Sequence, residues 1–172
     1  MNSTPQKEFA APWGRLLKGT SIFVIVLFAS IIVSDSFILR ATRVASWVHP
    51  ATVGGLLAVL LGCLPFVIRG YIITDEGILI RRLWWNTVLP KKNIISVEVV
   101  PNAMSRSLRT CGNGGLFSFT GFYWSKQLGH YKAYVTDLNR TVVVRTKKRA
   151  AVLSPDDPQA FADAVRALIT PP

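Results

Sequence analysis

The chain has 172 residues, a formal net charge of +11, two cysteines and two histidines. Cys63 lies in an apolar run and Cys111 far beyond it, which excludes a disulfide framework. With His49 and His130 also far apart, no metal-ligand cluster can be read, so neither metal nor cofactor is implied. The excess of basic residues suits anionic partners rather than basic ones.

Residues 1–15 read as a polar tail on the cytoplasmic side. Residues 19–34 and 44–68 are then free of charge. A bilayer core of about 30 Å needs about 20 helical residues, so 16–39 and 44–68 are expected to form two transmembrane helices, with Asp35 near a headgroup layer. A secretory signal peptide competes with this reading: Lys7, Arg15 and Lys18 precede the first apolar run, and Val44, Ala45 and Ser46 resemble a cleavage site. The run is longer than a usual signal core and a second span follows, which favours an uncleaved hairpin. Lys7, Arg15 and Lys18 flank one end of the hairpin and Arg69, Arg81 and Arg82 the other, with only Arg40 and Arg43 between. Both termini are therefore expected in the cytoplasm.

Within the second span Gly54, Ala58 and Gly62 recur every fourth residue and form a helix-packing stripe, expected to receive the first helix, or else a second copy of the chain. His49, beside Trp47, reads as an interfacial residue rather than a proton relay. Pro65 and Gly62 are expected to kink or end the helix before Arg69.

From residue 69 onward the pattern is one of short β segments. Strands are expected near 71–74, 78–84, 87–89, 94–100, 105–110, 116–120, 131–136, 141–146 and 150–153, with turns at 75–77, 90–93, 112–115, 137–140 and 147–149. Ser154, Pro155, Asp156, Asp157 and Pro158 read as a helix start, with Ser154 capping and Pro155 in the first helical position. Phe161, Ala164, Val165 and Leu168 then share one face of a helix over about 155–169. The expected fold is α+β: a two-helix transmembrane hairpin at 16–68, then at 69–170 a small antiparallel β-barrel or bent sheet closed by a carboxy-terminal amphipathic helix.

The order of strands and final helix resembles the pleckstrin-homology barrel. The text of 73–78 (Ile-Thr-Asp-Glu-Gly-Ile), 94–98 (Ile-Ile-Ser-Val-Glu), 112–117 (Gly-Asn-Gly-Gly-Leu-Phe) and 152–158 (Val-Leu-Ser-Pro-Asp-Asp-Pro) is similar to the membrane-linked bacterial PH domains, over about 69–169. The resemblance implies the fold and a bacterial inner-membrane setting. It implies no catalytic residue and supplies no ligand. Eukaryotic relatives bind phosphoinositides with basic residues near their first strand loop, where this chain has Asp75 and Glu76.

Cys111, His130 and Asp137 are the residue types of a nucleophile, base and orienter, which keeps a Cys/His-dependent hydrolase as a distant alternative. Stronger candidates lie in 117–132, which mixes rings with positive charge as membrane-contacting loops do. Trp84, Trp85, Phe119, Phe122, Tyr123 and Trp124 are the candidate membrane or partner contacts, although some of these rings are needed to fill a small core. Arg81, Arg82, Lys126, Lys132, Lys147, Lys148 and Arg149 are the candidate anionic-headgroup contacts. No recognition helix or RNP-type motif supports nucleic-acid binding. The sequence thus describes a multi-pass inner-membrane protein presenting a non-catalytic interaction or scaffolding module. Its expected partner is a membrane protein or a second copy, with anionic-lipid sensing as the alternative.

Overall fold

The computed structural model describes residues 6–41 and 47–170. Arg43, the expected start of the second span at Val44 and the cleavage-like Ala45-Ser46 pair lie outside the described residues. Strand β1 (Lys7–Ala10) comes first, followed by helices α1 (Arg15–Ala41) and α2 (Val48–Cys63), a 3-10 turn at Leu64–Phe66, and strand β2 (Ile68–Thr74). Strands β3 (Gly77–Arg82), β4 (Asn86–Pro90), β5 (Ile94–Val99), β6 (Leu108–Gly114), β7 (Phe119–Ser125), β8 (Gly129–Val135), β9 (Val142–Thr146) and β10 (Ala150–Leu153) complete the β structure. Helix α3 (Pro158–Ile169) ends the fold.

Two stretches, Arg15–Phe37 and Val48–Phe66, are long and apolar enough to cross a membrane. At the far end of the pair His49 Nδ1 lies 3.0 Å from Asp35 Oδ2, joining one helix to the other. Gly54, Ala58 and Gly62 are exposed, and a Cβ placed at Gly54 or Gly62 would meet nothing within 4 Å. The small-residue stripe therefore does not receive α1, the first of the two partners its spacing suggested.

The strands form two sheets rather than a closed barrel. One has the order β1-β2-β3-β4, the other β5-β9-β10-β8-β7-β6. The pairing is antiparallel except between β8 and β10, which run parallel. The principal core lies between the sheets and under α3, where Ile68, Tyr71, Ile78, Ile80, Val142, Val144, Leu153, Phe161 and Val165 are buried. A second core covers the opposite face of the six-stranded sheet, with Phe119, Tyr123, Tyr131, Val135, Val143 and Val152 packed against Met104 and against Leu17 from α1. Alternation along the strands explains the division, because neighbouring residues point to opposite faces. In β9, Val142 and Val144 serve one core and Val143 the other.

Residues 6–15 are more than a tail. Lys7, Glu8, Phe9 and Ala10 pair with Ile73, Ile72, Tyr71 and Gly70, so β1 is the edge strand of the four-stranded sheet. The chain then crosses the turn after β8: Gly14 N donates to Thr136 O at 2.9 Å, and Thr136 Oγ1 donates to Pro12 O at 2.9 Å. Only glycine fits this approach, since a Cβ at Gly14 would lie 2.8 Å from Asp137 Oδ1. The helical pair is therefore inserted between the first two strands of one sheet.

The last helix also starts later than the sequence suggests. Asp157 is its N-cap, accepting from Ala160 N at 2.9 Å, and Pro158 takes the first turn. Ser154 is instead fully buried, and its Oγ accepts from Thr136 N at 2.8 Å and Asp137 N at 3.2 Å. Its own N–H donates to Tyr71 Oη at 3.1 Å, and that hydroxyl donates to Tyr134 O at 2.7 Å. Both Ser-Pro and Asp-Asp-Pro have capping chemistry; Ser154 is drawn inward, where its hydroxyl satisfies the amides of Thr136 and Asp137.

All four tyrosines resist ionisation. Burial pushes Tyr71 and Tyr123 up to about 12, and raises Tyr131 and Tyr134 as well. A raised phenol pKa means that the fold favours the neutral form. The stabilisation is full below the ordinary value of 10.0 and is lost as pH rises from there through about 12. Alkaline titration followed by phenolate absorbance and circular dichroism should show ionisation coinciding with loss of structure. Reversible ionisation of most tyrosines near the ordinary value, with the fold intact, would contradict these burials.

Candidate functional site

The six-stranded sheet extends past the four-stranded one, leaving the inner face of β6, β7 and β8 partly uncovered. There lies a cavity of about 300 Å³, bordered by Phe66, Arg82, Cys111, Gly112, Thr120, Gly121, Phe122, Lys132 and Tyr134. A second cavity, of about 270 Å³, shares Phe122, Lys132 and Tyr134 with the first and reaches between β4 and the β9–β10 turn, to Lys148 and Arg149. Together they make one groove between the sheets. No aspartate or glutamate is among its lining residues.

Local sequence explains the floor. Gly112 and Gly121 face each other across β6 and β7 with φ of 116° and 138°. An L side chain at either would be strained and would drive its Cβ into the backbone of the partner strand. Phe122 projects from the floor, and two cations lean on its ring: Lys132 Nζ at 5.0 Å and Arg149 Cζ at 5.2 Å from the centroid. Each contact of this kind contributes about 0.5–1 kcal/mol at an exposed position.

Arg82 closes the inner end. Its guanidinium carbon lies 5.8 Å from the Phe66 ring centre, 5.6 Å from that of Trp85 and 5.2 Å from that of Tyr134. Burial pushes its pKa down, an effect opposed by Tyr134. Its Nε is buried with no hydrogen-bond partner among the described residues. A half-buried cation whose Nε is out of contact with water, held by three rings and facing no carboxylate among the lining residues, is an electrostatic position that an anion would improve.

The groove adjoins the helical pair. Ser118 Oγ donates to Phe66 O at 3.0 Å, where the second apolar stretch ends. From α1, Thr20 Oγ1 donates to Gly115 O at 2.8 Å, and Phe117 N donates to Ser21 Oγ at 3.1 Å. The turn around residues 115–118 is thus held by both helices. Beside it Trp85 meets Phe66 edge-on, with centroids 5.5 Å apart, and Trp84 at the tip of the β3–β4 hairpin is 70% exposed.

The other sequence candidates are dispersed. Residues 117–132 form most of a β-hairpin rather than a loop. Its alternation buries Phe119 and Tyr123 in the second core and leaves Phe122 and Trp124 partly exposed on the groove side of the sheet. Arg81 points away from Arg82 and pairs with Glu8 at 3.6 Å. Lys126 is exposed at the β7–β8 turn, and Lys147 is exposed beside Lys148. Phe66 and Tyr134 were not singled out from the sequence; their apolar strand and helix-end contexts resemble ordinary core. Cys111 and His130 are not brought together: they stand two strands and two residues apart, about 11 Å by sheet spacing. Asp137 is engaged elsewhere, with Arg140 at 3.7 Å and Asn139 N at 3.0 Å.

A family model described as a bacterial PH domain matches residues 69–169. That span begins at β2 and leaves out β1, which the structure adds from before the helices. We found no match among curated proteins or among solved structures.

Proposed function

The chain belongs to the bacterial PH domain family, and on that premise we propose that it is a membrane-anchored binding module whose apolar helices cross the bilayer as a hairpin and hold the PH domain against one membrane surface. The observation that carries this reading is the pairing of β1 with β2 across the helical insertion. A sheet built from chain on both sides of a two-helix insertion requires both ends of the insertion to emerge on the same face. Cleavage near residue 46 would remove Phe9 from the principal core and Leu17 from the second, which supports an uncleaved hairpin.

The charge pattern supports a cytoplasmic face. Lys7, Arg15 and Lys18 lie before or within the first turn of the first helix, and fifteen of the twenty lysines and arginines follow residue 68. Trp84 and Trp85 would then sit at headgroup depth, where indoles are favoured. Cys111 borders the groove but has no histidine beside it among the described residues, which supports holding a ligand over transforming one. Its partner on this reading is a component of the same membrane.

Sidedness tests the proposal. In a variant lacking Cys63 and Cys111, single cysteines at Gln6→Cys and Lys126→Cys are expected to resist a membrane-impermeant maleimide in intact spheroplasts and to react after lysis. Trp47→Cys, at the far end of the hairpin, should react in both. Labelling of Gln6→Cys and Lys126→Cys from opposite sides would defeat the hairpin.

A further inference from the structure

We infer that the inter-sheet groove holds the phosphate of an anionic phospholipid drawn from the leaflet on which the domain rests, with Arg82, Lys132 and Arg149 around the phosphate and Phe122 and Phe66 against the glycerol and first methylenes. This rests on the membrane-apposed reading above and adds the chemistry of the ligand.

Charge is the first ground. Lys132 and Arg149 share one ring, Arg82 lies at the inner end of the same groove, and no acidic residue lines it. Like charges gathered in a partly desolvated space repel, and one anion relieves all of them together. Arg82 adds a buried Nε that lacks an acceptor among the described residues, and guanidinium donors suit phosphate oxygens.

Shape is the second. Adjoining cavities of about 300 and 270 Å³ fall at the small end of ligand sites. Volumes of this size hold less than one turn of a helix about 10 Å across, about 400 Å³, but they suit a headgroup with its first carbons. Aromatic walls beside cations match the mixed polarity of a phosphoglyceride at its ester level.

Location decides the source. Phe66 borders the groove and ends the second apolar stretch, so the mouth opens where that helix leaves the bilayer. A lipid would need only to rise along Phe66 and Trp85, whereas a soluble phosphate would have to approach from bulk water. The Asp75-Glu76 turn lies at the opposite end of β3 from Arg82, so this is a different place from the first-loop site of eukaryotic relatives.

The test uses the full chain in zwitterionic phosphatidylcholine nanodiscs doped with phosphatidylglycerol, with bound lipid read by native mass spectrometry at low and high salt. Retention of one phosphatidylglycerol per chain at both salts is expected, because a partly buried site is screened less than a surface one. Lys132→Gln with Arg149→Gln, on the open side of the groove where folding is least at risk, should weaken retention about tenfold or more. Arg82→Gln should do the same, and Lys126→Gln should change nothing. Equal retention of both lipids, or unchanged retention in the Lys132/Arg149 variant, would overturn the assignment. Displacement by glycerol 3-phosphate as efficiently as by the lipid would assign the groove to a soluble phosphate instead. A stoichiometric protein held in place of lipid in native membranes would also refute it. Cysteine sidedness does not depend on which lipid is retained, so a correct hairpin with failed retention removes only the ligand.

Discussion

A fragment beginning at residue 67, which contains the whole family match, is expected to lack a cooperative melting transition and to aggregate. The same fragment preceded by residues 6–18, joined through a flexible linker in place of the helices, is expected to fold as a soluble domain. Without β1 the principal core loses Phe9, which meets Phe161 edge-on at 5.1 Å, and the nearly buried Ala11. The four-residue ladder with β2 disappears, along with the bond from Asp156 N to Ala10 O at 3.0 Å. At the other core Leu17, fully buried, is lost from beneath the six-stranded sheet. Burying Leu17 and Phe9 stabilises by about 1.5–3 kcal/mol each at full burial, and each hydrogen bond adds about 0.5–1.5 kcal/mol net. Those terms together approach the 5–15 kcal/mol that is typical of a whole domain. Newly exposed, β2 would also present an unpaired apolar edge, which invites association. Circular dichroism on the two fragments decides the matter; equal melting temperatures would show β1 to be dispensable.

The residues explain why β1 escaped the sequence reading. Lys7–Ala10 is four residues long, too short for alternation to register, and its partners begin sixty residues later beyond two apolar helices. Local signals report local structure, and this pairing is non-local. By contrast β3, β4, β5 and β9 are bounded by turn chemistry and stand close to where they were expected. The 117–132 segment carried its own solution, since Phe119 and Tyr123 are four apart and share a face while Phe122 and Trp124 share the other. Its aromatic and basic composition resembled a membrane loop, which masked the period of two. Four of the basic residues singled out from the sequence, Arg82, Lys132, Lys148 and Arg149, line the groove. The sequence could not separate them from Arg81 or Lys126, because the groove is assembled from Phe66, β3, β7, β8 and the β9–β10 turn, and only folding brings those segments together.

Phe161→Ala is expected to destabilise the full-length protein by about 3–5 kcal/mol, the usual consequence of emptying a buried phenylalanine site. Phe161 is fully buried, and its ring stands between Phe9, at 5.1 Å and 80°, and Tyr71, at 6.0 Å and 68°. Little nearby can collapse into the space, because Tyr71 is fixed by its hydrogen bonds to Tyr134 O and Ser154 N. The same ring links the two ends of the chain: Phe9 precedes the helices and Phe161 lies on the last helix. Phe9→Ala should therefore couple to Phe161→Ala by about 0.5–1.5 kcal/mol in a double-mutant cycle, the range for edge-to-face aromatic pairs. Denaturant unfolding of the detergent-solubilised protein, monitored by tryptophan fluorescence, measures both quantities. A loss below about 1 kcal/mol for Phe161→Ala would mean that α3 is not part of the cooperative core. Strict additivity with Phe9→Ala would mean that β1 and α3 are stabilised independently; a measured coupling would tie the amino-terminal strand, and with it the origin of the hairpin, to the carboxy-terminal helix of the PH domain.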